Sequence, residues 1–190
     1  MYAKSRLFHR VKIRKFLLKV VRNELRKTNS EKLCRKNPKL LKVLNKNNSS
    51  PLHFASQNAS CDVVKYLLEK GADGKLVNKD GDSMLLKAIT GQVNSSKQPT
   101  DHQRYKKIML LLQVDTKQKV EHLLSLFPEQ VHSTNTENNQ PLHLAIWFGN
   151  TDVTRLLIAA GADVNFLGNL KRTPVHFAAE RGHPDIIKVL

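Results

Sequence analysis

The chain has only two cysteines in 190 residues, Cys34 and Cys61, and neither stands in a C-x-x-C pair or another metal-ligand spacing. Two isolated cysteines do not build a disulfide framework, and they are typical of a reducing compartment. Long apolar runs are also missing, since runs such as Met109–Leu112 are far too short to cross a bilayer. The N-terminus lacks the apolar core and the small-residue cleavage site of a secretory signal. We therefore expect a soluble, cytoplasmic protein.

Acidic residues are scarce in the first quarter of the chain. Residues 1–47 contain sixteen Lys and Arg but only Glu24 and Glu31, so this segment carries a charge of +14 out of the total of +16. The remaining residues are nearly neutral. Any electrostatic attraction to nucleic acid or to a membrane is therefore expected of residues 1–47 and not of the rest of the chain.

Catalytic signatures are absent from the sequence. It contains no P-loop, no H-E-x-x-H, no G-x-S-x-G and no glycine loop of the kinase type. An acid–base or metal site also requires convergent polar partners, and the sequence spaces none for this purpose. We predict a protein that is not an enzyme and that uses no cofactor and no metal.

What the chain does have is an internal repeat. Three stretches match almost letter for letter, Ser50–Ala55, Gln140–Ala145 and Thr173–Ala178, and the last two lie 33 residues apart. A second landmark, Gly-Ala-Asp, follows an apolar run at Gly71–Asp73 and again at Gly161–Asp163. Such self-similarity at a fixed period indicates a repeat architecture, in which small units stack to bury a common core.

Each landmark of the repeat has a structural reason. Pro51 and its equivalents suit the first turn of a helix, where a missing N–H costs nothing. Ser50 and Thr173 have hydroxyls that can cap this helix. The small Ala55 and its equivalents allow two short helices to approach closely, and Gly71 suits the left-handed end of the second helix. The repeat is therefore a helix–turn–helix unit followed by an extended turn.

These residues resemble the ankyrin repeat, with its T-P-L-H-x-A opening, its G-A-D ending and its period of 33 residues. The resemblance covers residues 48–190 and implies an all-α solenoid. It also implies that His53, His143 and His176 make structural hydrogen bonds between units, as this histidine does in the family.

The middle of the repeat region is irregular. A degenerate opening at Ser83–Ala88 keeps the register, and a polar stretch follows at Gly91–Asp101. Two helical runs come next, His102–Gln113 and Lys117–Leu126. We favour a cryptic repeat that begins near Lys107 over a simple insertion. This gives about five units, two of them irregular around 81–137, and we expect the last unit to be truncated.

The resemblance also indicates a partner-binding surface. Trp147 and Phe148 close a first helix, at positions that usually face the concave groove of ankyrin proteins, and paired aromatics are typical anchors of a protein interface. The alternative is that one of them fills a gap beside the irregular unit. The remaining candidates lie at the turn tips and at the end of the first helix of the last unit: Asn138, Asn139, Lys171, Arg172, Glu180 and Arg181. This mixed surface argues against nucleic acid along the groove.

The N-terminal segment, residues 1–47, predicts a basic amphipathic helix. Its basic side chains recur at spacings of three and four and share one face: Lys12, Lys15, Lys19, Arg22 and Arg26. Such a helix fits an anionic membrane surface, a mitochondrial presequence or nucleic-acid phosphates. It also fits a cap that covers the first repeat and exposes a solvated basic face, which we favour.

The function that we predict is non-catalytic binding of a protein partner through the concave face and the turn tips. One alternative is a membrane- or nucleic-acid-associated adaptor that acts through residues 1–47. Another is a truncated gene product without a function. The abundance of Lys and Asn is typical of AT-rich genomes, including those of intracellular bacteria, so delivery into the cytoplasm of a host cell is a further alternative.

Overall fold

The computed structural model describes residues 41–58, 60–91 and 115–190. Its helices are α1 (Pro51–Asn58), α2 (Cys61–Glu69), α3 (Met84–Thr90), α4 (115–126), α5 (Pro141–Trp147), α6 (Thr151–Ala159), α7 (Pro174–Glu180) and α8 (Pro184–Ile187). Short 3-10 helices span Pro128–His132 and Asn169–Lys171. The N-terminal helix expected before residue 41 and the helix expected at His102–Gln113 lie outside these residues. None of the helices described is long and apolar enough to cross a membrane.

The repeating unit consists of an extended turn followed by two antiparallel helices. Four turns share one backbone hydrogen bond, in which the first residue donates its N–H to the carbonyl of the residue four positions later; they span 45–49, 78–82, 135–139 and 168–172. Each turn contains at least one residue with a left-handed backbone: Asn48, Gly81 and Asn138 in the first three turns, and both Leu170 and Lys171 in the fourth. Asparagine and glycine tolerate this conformation better than other residues, which explains the polar composition of the turns.

The first helices form a continuous row. Helix α3 packs against α1 on one side and against α5 on the other, and α5 packs against α7. At the junction of α1 and α3 the backbones lie so close together that a Cβ on Gly91 would collide with the carbonyl oxygen of Gln57. Leu52, Leu85 and Leu142 are fully buried along this row, as is the alanine three residues after each of them. Burial of such leucines supplies most of the stability of a stack.

This packing corrects the expectation of a cryptic repeat near Lys107. Because α3 contacts α5 directly, the described residues place no first helix of a separate unit between them. Helix α4 is instead the second helix of the unit that α3 opens, since Asp115 at its start accepts a hydrogen bond of 3.0 Å from the N–H of Cys61 at the start of α2. The described residues therefore form four units, and residues 92–114 separate the two helices of the second one.

Gln130 joins the second unit to the first. Its side-chain amide donates to the carbonyl oxygen of Gly74 at 2.6 Å, and its side-chain oxygen accepts from the N–H of Leu85 at 3.2 Å. Gln130 is only 6% exposed, so both bonds are shielded from water. The side chain therefore satisfies a free N–H at the start of α3 and also ties the turn after α4 to the turn after α2.

The motif histidines connect successive units, as the resemblance implied for His53 and His143. The Nδ1 atom of His53 accepts from the backbone N–H of Ser50 at 3.0 Å, so its Nε2–H donates to the carbonyl oxygen of Asp82 in the next turn at 3.3 Å. His143 donates in the same way to the carbonyl oxygen of Phe166 at 3.0 Å. Burial lowers the pKa of both histidines, that of His53 to about 4, and therefore keeps both rings neutral.

Candidate functional site

A groove runs between the turns and the first helices of the third and fourth units. We call it the aromatic groove, and its lining residues are Glu137, Asn139, Leu144, Trp147, Phe148, Asn169, Arg172, Phe177 and Glu180. Helices α5 and α7 supply the floor, and the two turns at 135–139 and 168–172 supply one wall. The groove exists because two first helices lie side by side while their turns project beyond them.

Trp147 is the centre of the groove floor. Its ring meets the ring of Phe177 edge to face, with centroids 6.0 Å apart. The guanidinium of Arg181 lies over the indole at 4.2 Å from the ring centroid, and its Nε–H donates to the carbonyl oxygen of Trp147 at 3.2 Å. The cation–π contact and the hydrogen bond from Arg181 together fix the indole in a partly exposed position. A fixed, partly exposed aromatic ring loses little conformational entropy when a partner covers it.

Phe148 and Trp147 both pack against the core and also line the groove, so the two interpretations given above are not exclusive. Phe148 forms the C-cap of α5, and its N–H donates to the carbonyl of Leu144 at 3.0 Å. Each aromatic ring is partly buried and presents its remaining surface to the groove. A substitution there will therefore affect both packing and binding.

The groove rim carries paired charges. Arg172 and Glu180 form an ion pair at the mouth, and the guanidinium of Arg172 lies 5.9 Å from the centroid of Phe177. In the neighbouring turn, the carboxylate of Glu137 accepts from the side-chain amide of Asn139 at 3.2 Å. An apolar floor with a charged rim is the arrangement found in protein interfaces, whereas a catalytic site needs a convergent acid and base.

The structure brings five of the eight predicted partner-binding residues to the aromatic groove: Asn139, Trp147, Phe148, Arg172 and Glu180. Arg181 lies beside the groove on Trp147, whereas Asn138 and Lys171 lie on exposed turn tips. Asn139 is only 3% exposed, and its side-chain oxygen accepts from the N–H of Asn169 at 2.9 Å. Its main contribution is therefore to join the two turns.

Four lining residues were not predicted from the sequence. Leu144 and Phe177 follow the motif histidines at equivalent positions 33 residues apart. Glu137 and Asn169 lie in turns, where no pattern distinguishes a residue that faces the groove. The signal that could have found Leu144 and Phe177 is their repeat position, which in the second unit is occupied by Lys87.

The corresponding position of the second unit has a different chemistry. Lys87 there forms an ion pair of 2.6 Å with Asp82, and both side chains are largely buried. This pair replaces the aromatic surface that Phe177 provides in the fourth unit. The apolar part of the groove is therefore restricted to the third and fourth units, on the C-terminal side of Lys87.

The described residues contain no cluster of His, Cys, Asp or Glu that could hold a metal ion. Cys61 is buried, and burial raises the pKa of its thiol, which makes it a poor nucleophile. The two buried histidines are neutral and committed to backbone carbonyls. The arrangement of the described groove residues therefore supports binding of a ligand surface.

Stacked helix–turn–helix units with projecting turns define a repeat protein of the solenoid class. A family profile described as ankyrin repeats in three copies matches residues 8–97 and 108–190, and the chain therefore belongs to the ankyrin-repeat family. Residues 98–107, which the profile leaves unmatched, fall within the segment between α3 and α4. The recognition and the all-α solenoid fold predicted from the sequence are thus confirmed.

Several known proteins are similar over this region. Human transient receptor potential cation channel subfamily A member 1 is 28% identical over 159 residues, which is 74% of this chain and 14% of the channel. Target of rapamycin complex 2 subunit AVO2 from Saccharomyces cerevisiae is 26% identical over 161 residues, which is 84% of this chain and 33% of the subunit. Human protein fem-1 homolog C is 35% identical over 74 residues, which is 32% of this chain and 12% of the relative. The chain thus spans at most a third of these proteins.

Proposed function

We propose that this chain is a non-catalytic module that binds a protein partner in the aromatic groove. The observation that carries the proposal is the partly exposed pair Trp147 and Phe148 on a groove floor, with the Arg172–Glu180 ion pair at the rim. Tryptophan and arginine are the residues that most often dominate the binding energy of protein interfaces.

The family supports the same class of function. Ankyrin repeats generally mediate protein–protein interactions and are typically not catalytic. One relative is, by its name, a subunit of a multiprotein complex, and another is a cation channel. These roles belong to those proteins, and what they share with this chain is the repeat region. Because the fold serves many roles, the partner must be identified by experiment.

The test is capture of partners by the full chain and by two variants. We expect Trp147→Ala to lose the specific partner, because the variant removes the centre of the groove floor. Leu126→Ala is the matched control, since Leu126 is 49% exposed on α4 and lies outside the groove. Circular dichroism and a thermal melt report whether each variant is folded. Equal capture by the wild type and a folded Trp147→Ala variant would refute the groove assignment.

A second candidate function rests on the charge of residues 1–47, which contain sixteen basic residues and two acidic ones. The segment would attach the repeat module to an anionic membrane or to nucleic acid. Replacement of its five basic-face residues by Gln should then abolish binding to phosphatidylserine vesicles or to a DNA oligonucleotide. If the variant binds both probes as the wild type does, this candidate is eliminated. The substituted residues are Lys12, Lys15, Lys19, Arg22 and Arg26.

A further inference from the structure

The four turns at 45–49, 78–82, 135–139 and 168–172 form a continuous surface, which we call the turn row. The N–H of Lys79 donates to the carbonyl of Asn47 at 3.0 Å, and the N–H of Thr136 donates to the carbonyl of Asp80 at 2.9 Å. At the last junction the acceptor is the side chain of Asn139, which binds the N–H of Asn169. The turns therefore hold fixed positions relative to one another, as neighbouring strands do.

Lysines project from this turn row without a carboxylate partner. Lys46, Lys79 and Lys171 are exposed, and the described part of the chain places no acidic side chain within ion-pair distance of them. The acidic residues of the turn tips, Asp80 and Glu137, accept hydrogen bonds from neighbouring asparagine amides. The lysines are therefore the charges that the turn row leaves available to a partner.

Exposed aliphatic residues accompany the lysines. Leu44, Val77 and Leu167 occupy the same position, immediately before the first, second and fourth turns, and they are 44%, 55% and 49% exposed. Leu170, at the tip of the fourth turn, is 72% exposed. Three of the four turns thus carry a large exposed apolar side chain, whereas Thr134 occupies this position before the third turn.

Leu170 is exposed and conformationally strained at the same time. It has a φ of 54°, and Lys171 beside it has a φ of 57°, whereas each of the other turns has one such residue, always Asn or Gly. A left-handed backbone costs a residue such as leucine about 1–2 kcal/mol. The side chain gains little burial in return, since it is 72% exposed, while its neighbour Asn169 lines the aromatic groove.

We infer, on the basis of the proposed function, that the partner contributes an extended acidic segment that lies along the turn row. Its carboxylates pair with Lys79 and Lys171, and an apolar side chain lies between Leu170 and Trp147. The guanidinium of Arg181, stacked on Trp147, offers terminal N–H groups to one further carboxylate. Charge complementarity identifies the occupant, because the lysines of the turn row are available to it, whereas the acidic groups of the turn tips already accept hydrogen bonds.

A nucleic acid fits this surface less well than an acidic peptide does. The exposed apolar side chains of the turn row are aliphatic, whereas single-stranded nucleic acids are bound by exposed aromatic rings on which bases stack. The nucleic acid is therefore an outcome that the experiment must distinguish.

The experiment selects peptides from a random phage-displayed library on the immobilised full chain. We expect enrichment of peptides that combine several Asp or Glu with a large apolar residue. The best peptide is then synthesised, and its affinity is measured by fluorescence anisotropy for the wild type, for the double variant Lys79→Glu/Lys171→Glu and for a control. We expect the double variant to bind about tenfold more weakly.

The matched control is Lys65→Glu/Arg155→Glu. Both residues are exposed on second helices, away from the turn row, so the control changes the net charge by the same amount. We expect its affinity to stay within about twofold of the wild type, because a long-range charge effect is screened by salt. An equal loss in both double variants would mean that net charge, including that of residues 1–47, drives binding, and would overturn the inference.

Two further outcomes would overturn the inference. One is an enriched set without an excess of acidic residues. The other is a labelled single-stranded DNA whose binding falls in Lys79→Glu/Lys171→Glu, but not in the control, while the peptide is unaffected. Failure of this inference can also be distinguished from failure of the proposed function. If Trp147→Ala loses its captured partner while Lys79→Glu/Lys171→Glu keeps it, the groove binds the partner and the inference of an acidic segment is refuted.

Discussion

Single residues decide how each unit of this solenoid is joined to the next. His53 is 1% exposed and uses both ring nitrogens within the protein, one on its own helix start and one on the next turn. A charged ring would have to donate from both nitrogens, which would break the bond from the N–H of Ser50. The neutral histidine is therefore part of the contact between the first and second units.

This contact predicts a pH dependence of stability. The pKa of His53 falls from 6.5 to about 4 on folding, so between these values the unfolded chain binds more protons than the folded one. The contribution of His53 to the free energy of unfolding has its full value above pH 6.5. It decreases as the pH falls from 6.5 to about 4, and it is constant below about 4. The full shift corresponds to about 3 kcal/mol.

Urea unfolding of the wild type and of His53→Gln at several pH values checks this prediction. The glutamine does not titrate, so we expect the variant to lose less stability than the wild type between pH 6.5 and 4. His143 remains in both proteins and contributes equally to both curves. Parallel curves for the two proteins would show that His53 titrates normally and that its burial is not coupled to folding.

Leu170 provides a second prediction at the residue scale. Leu170→Asn should raise the free energy of unfolding by about 1 kcal/mol, because asparagine tolerates the left-handed backbone. The same variant should bind the selected peptide more weakly, because it removes the exposed apolar side chain. Leu126→Asn is the control: Leu126 is also exposed but helical, so stability should fall slightly and binding should not change. A Leu170→Asn variant that is less stable than the wild type would contradict the assigned strain.

At the scale of elements, helix α4 illustrates how a second helix is attached across an interrupted unit. Asp115 accepts the N–H of Cys61 and also forms an ion pair of 3.0 Å with Lys119, one turn later on the same helix. The Lys119 side chain is only 5% exposed. This carboxylate therefore satisfies a free N–H of α2 and also neutralises a buried ammonium.

We expect Asp115→Ala to destabilise the protein by about 3 kcal/mol, because it removes a carboxylate from a buried ammonium. The control is Asp185→Ala, which removes the ion pair of 3.5 Å between Asp185 and Lys188, where both side chains are more than three-quarters exposed. That change should cost less than about 1 kcal/mol. Chemical unfolding measures both, and similar losses in the two variants would show that the docking of α4 does not depend on Asp115.

At the scale of the whole molecule, stability is distributed along a row of first helices in which each contacts only its neighbours. Leu142 is fully buried in α5, which packs against α3 and α7. Leu142→Ala should lower the free energy of unfolding by 2–5 kcal/mol, the usual range for a buried leucine. Its effect should spread to both neighbouring units, because each unit of a solenoid is stabilised by the interfaces on either side.

Native-state hydrogen exchange of Leu142→Ala tests this spread. We expect faster exchange in α5 and α7 and a smaller change in α1, which is separated from α5 by α3. Uniformly faster exchange across the described helices would show that the stack unfolds as a single cooperative body. A change restricted to α5 alone would show that the units are not energetically coupled.

Much of the fold could be read from the sequence because its landmarks are local. Pro51, Gly71 and their equivalents fix where helices begin and end, since each acts through its own backbone. The repeat spacing then determines that successive units stack in the same way. The family and the all-α architecture followed from these residues. The interunit role of His53 and His143 and the groove position of Trp147 and Phe148 were implied by the resemblance to the family.

The second unit could not be read correctly, because its pattern matched two arrangements. The apolar run beginning at Val120 fits a second helix, but it does not reveal which first helix it accompanies. The prediction of a first helix near Lys107 used the spacing along the chain that separates the two helices of a regular unit. Only the direct packing of α3 on α5, and the bond from Cys61 to Asp115, decides that α4 belongs to the unit opened by Met84.

The sequence by itself therefore determined the class of the protein, its repeat period and the aromatic pair Trp147 and Phe148. The tertiary structure decided that Trp147 and Phe148 line a groove together with Leu144 and Phe177. It also decided that an ion pair of Lys87 takes the place of this aromatic surface in the second unit, and that Leu170 is exposed. The physical reason is distance along the chain. Caps and helix ends form within a few residues, whereas the groove and the turn row join side chains from units about 33 residues apart, and such contacts exist only after the units have stacked.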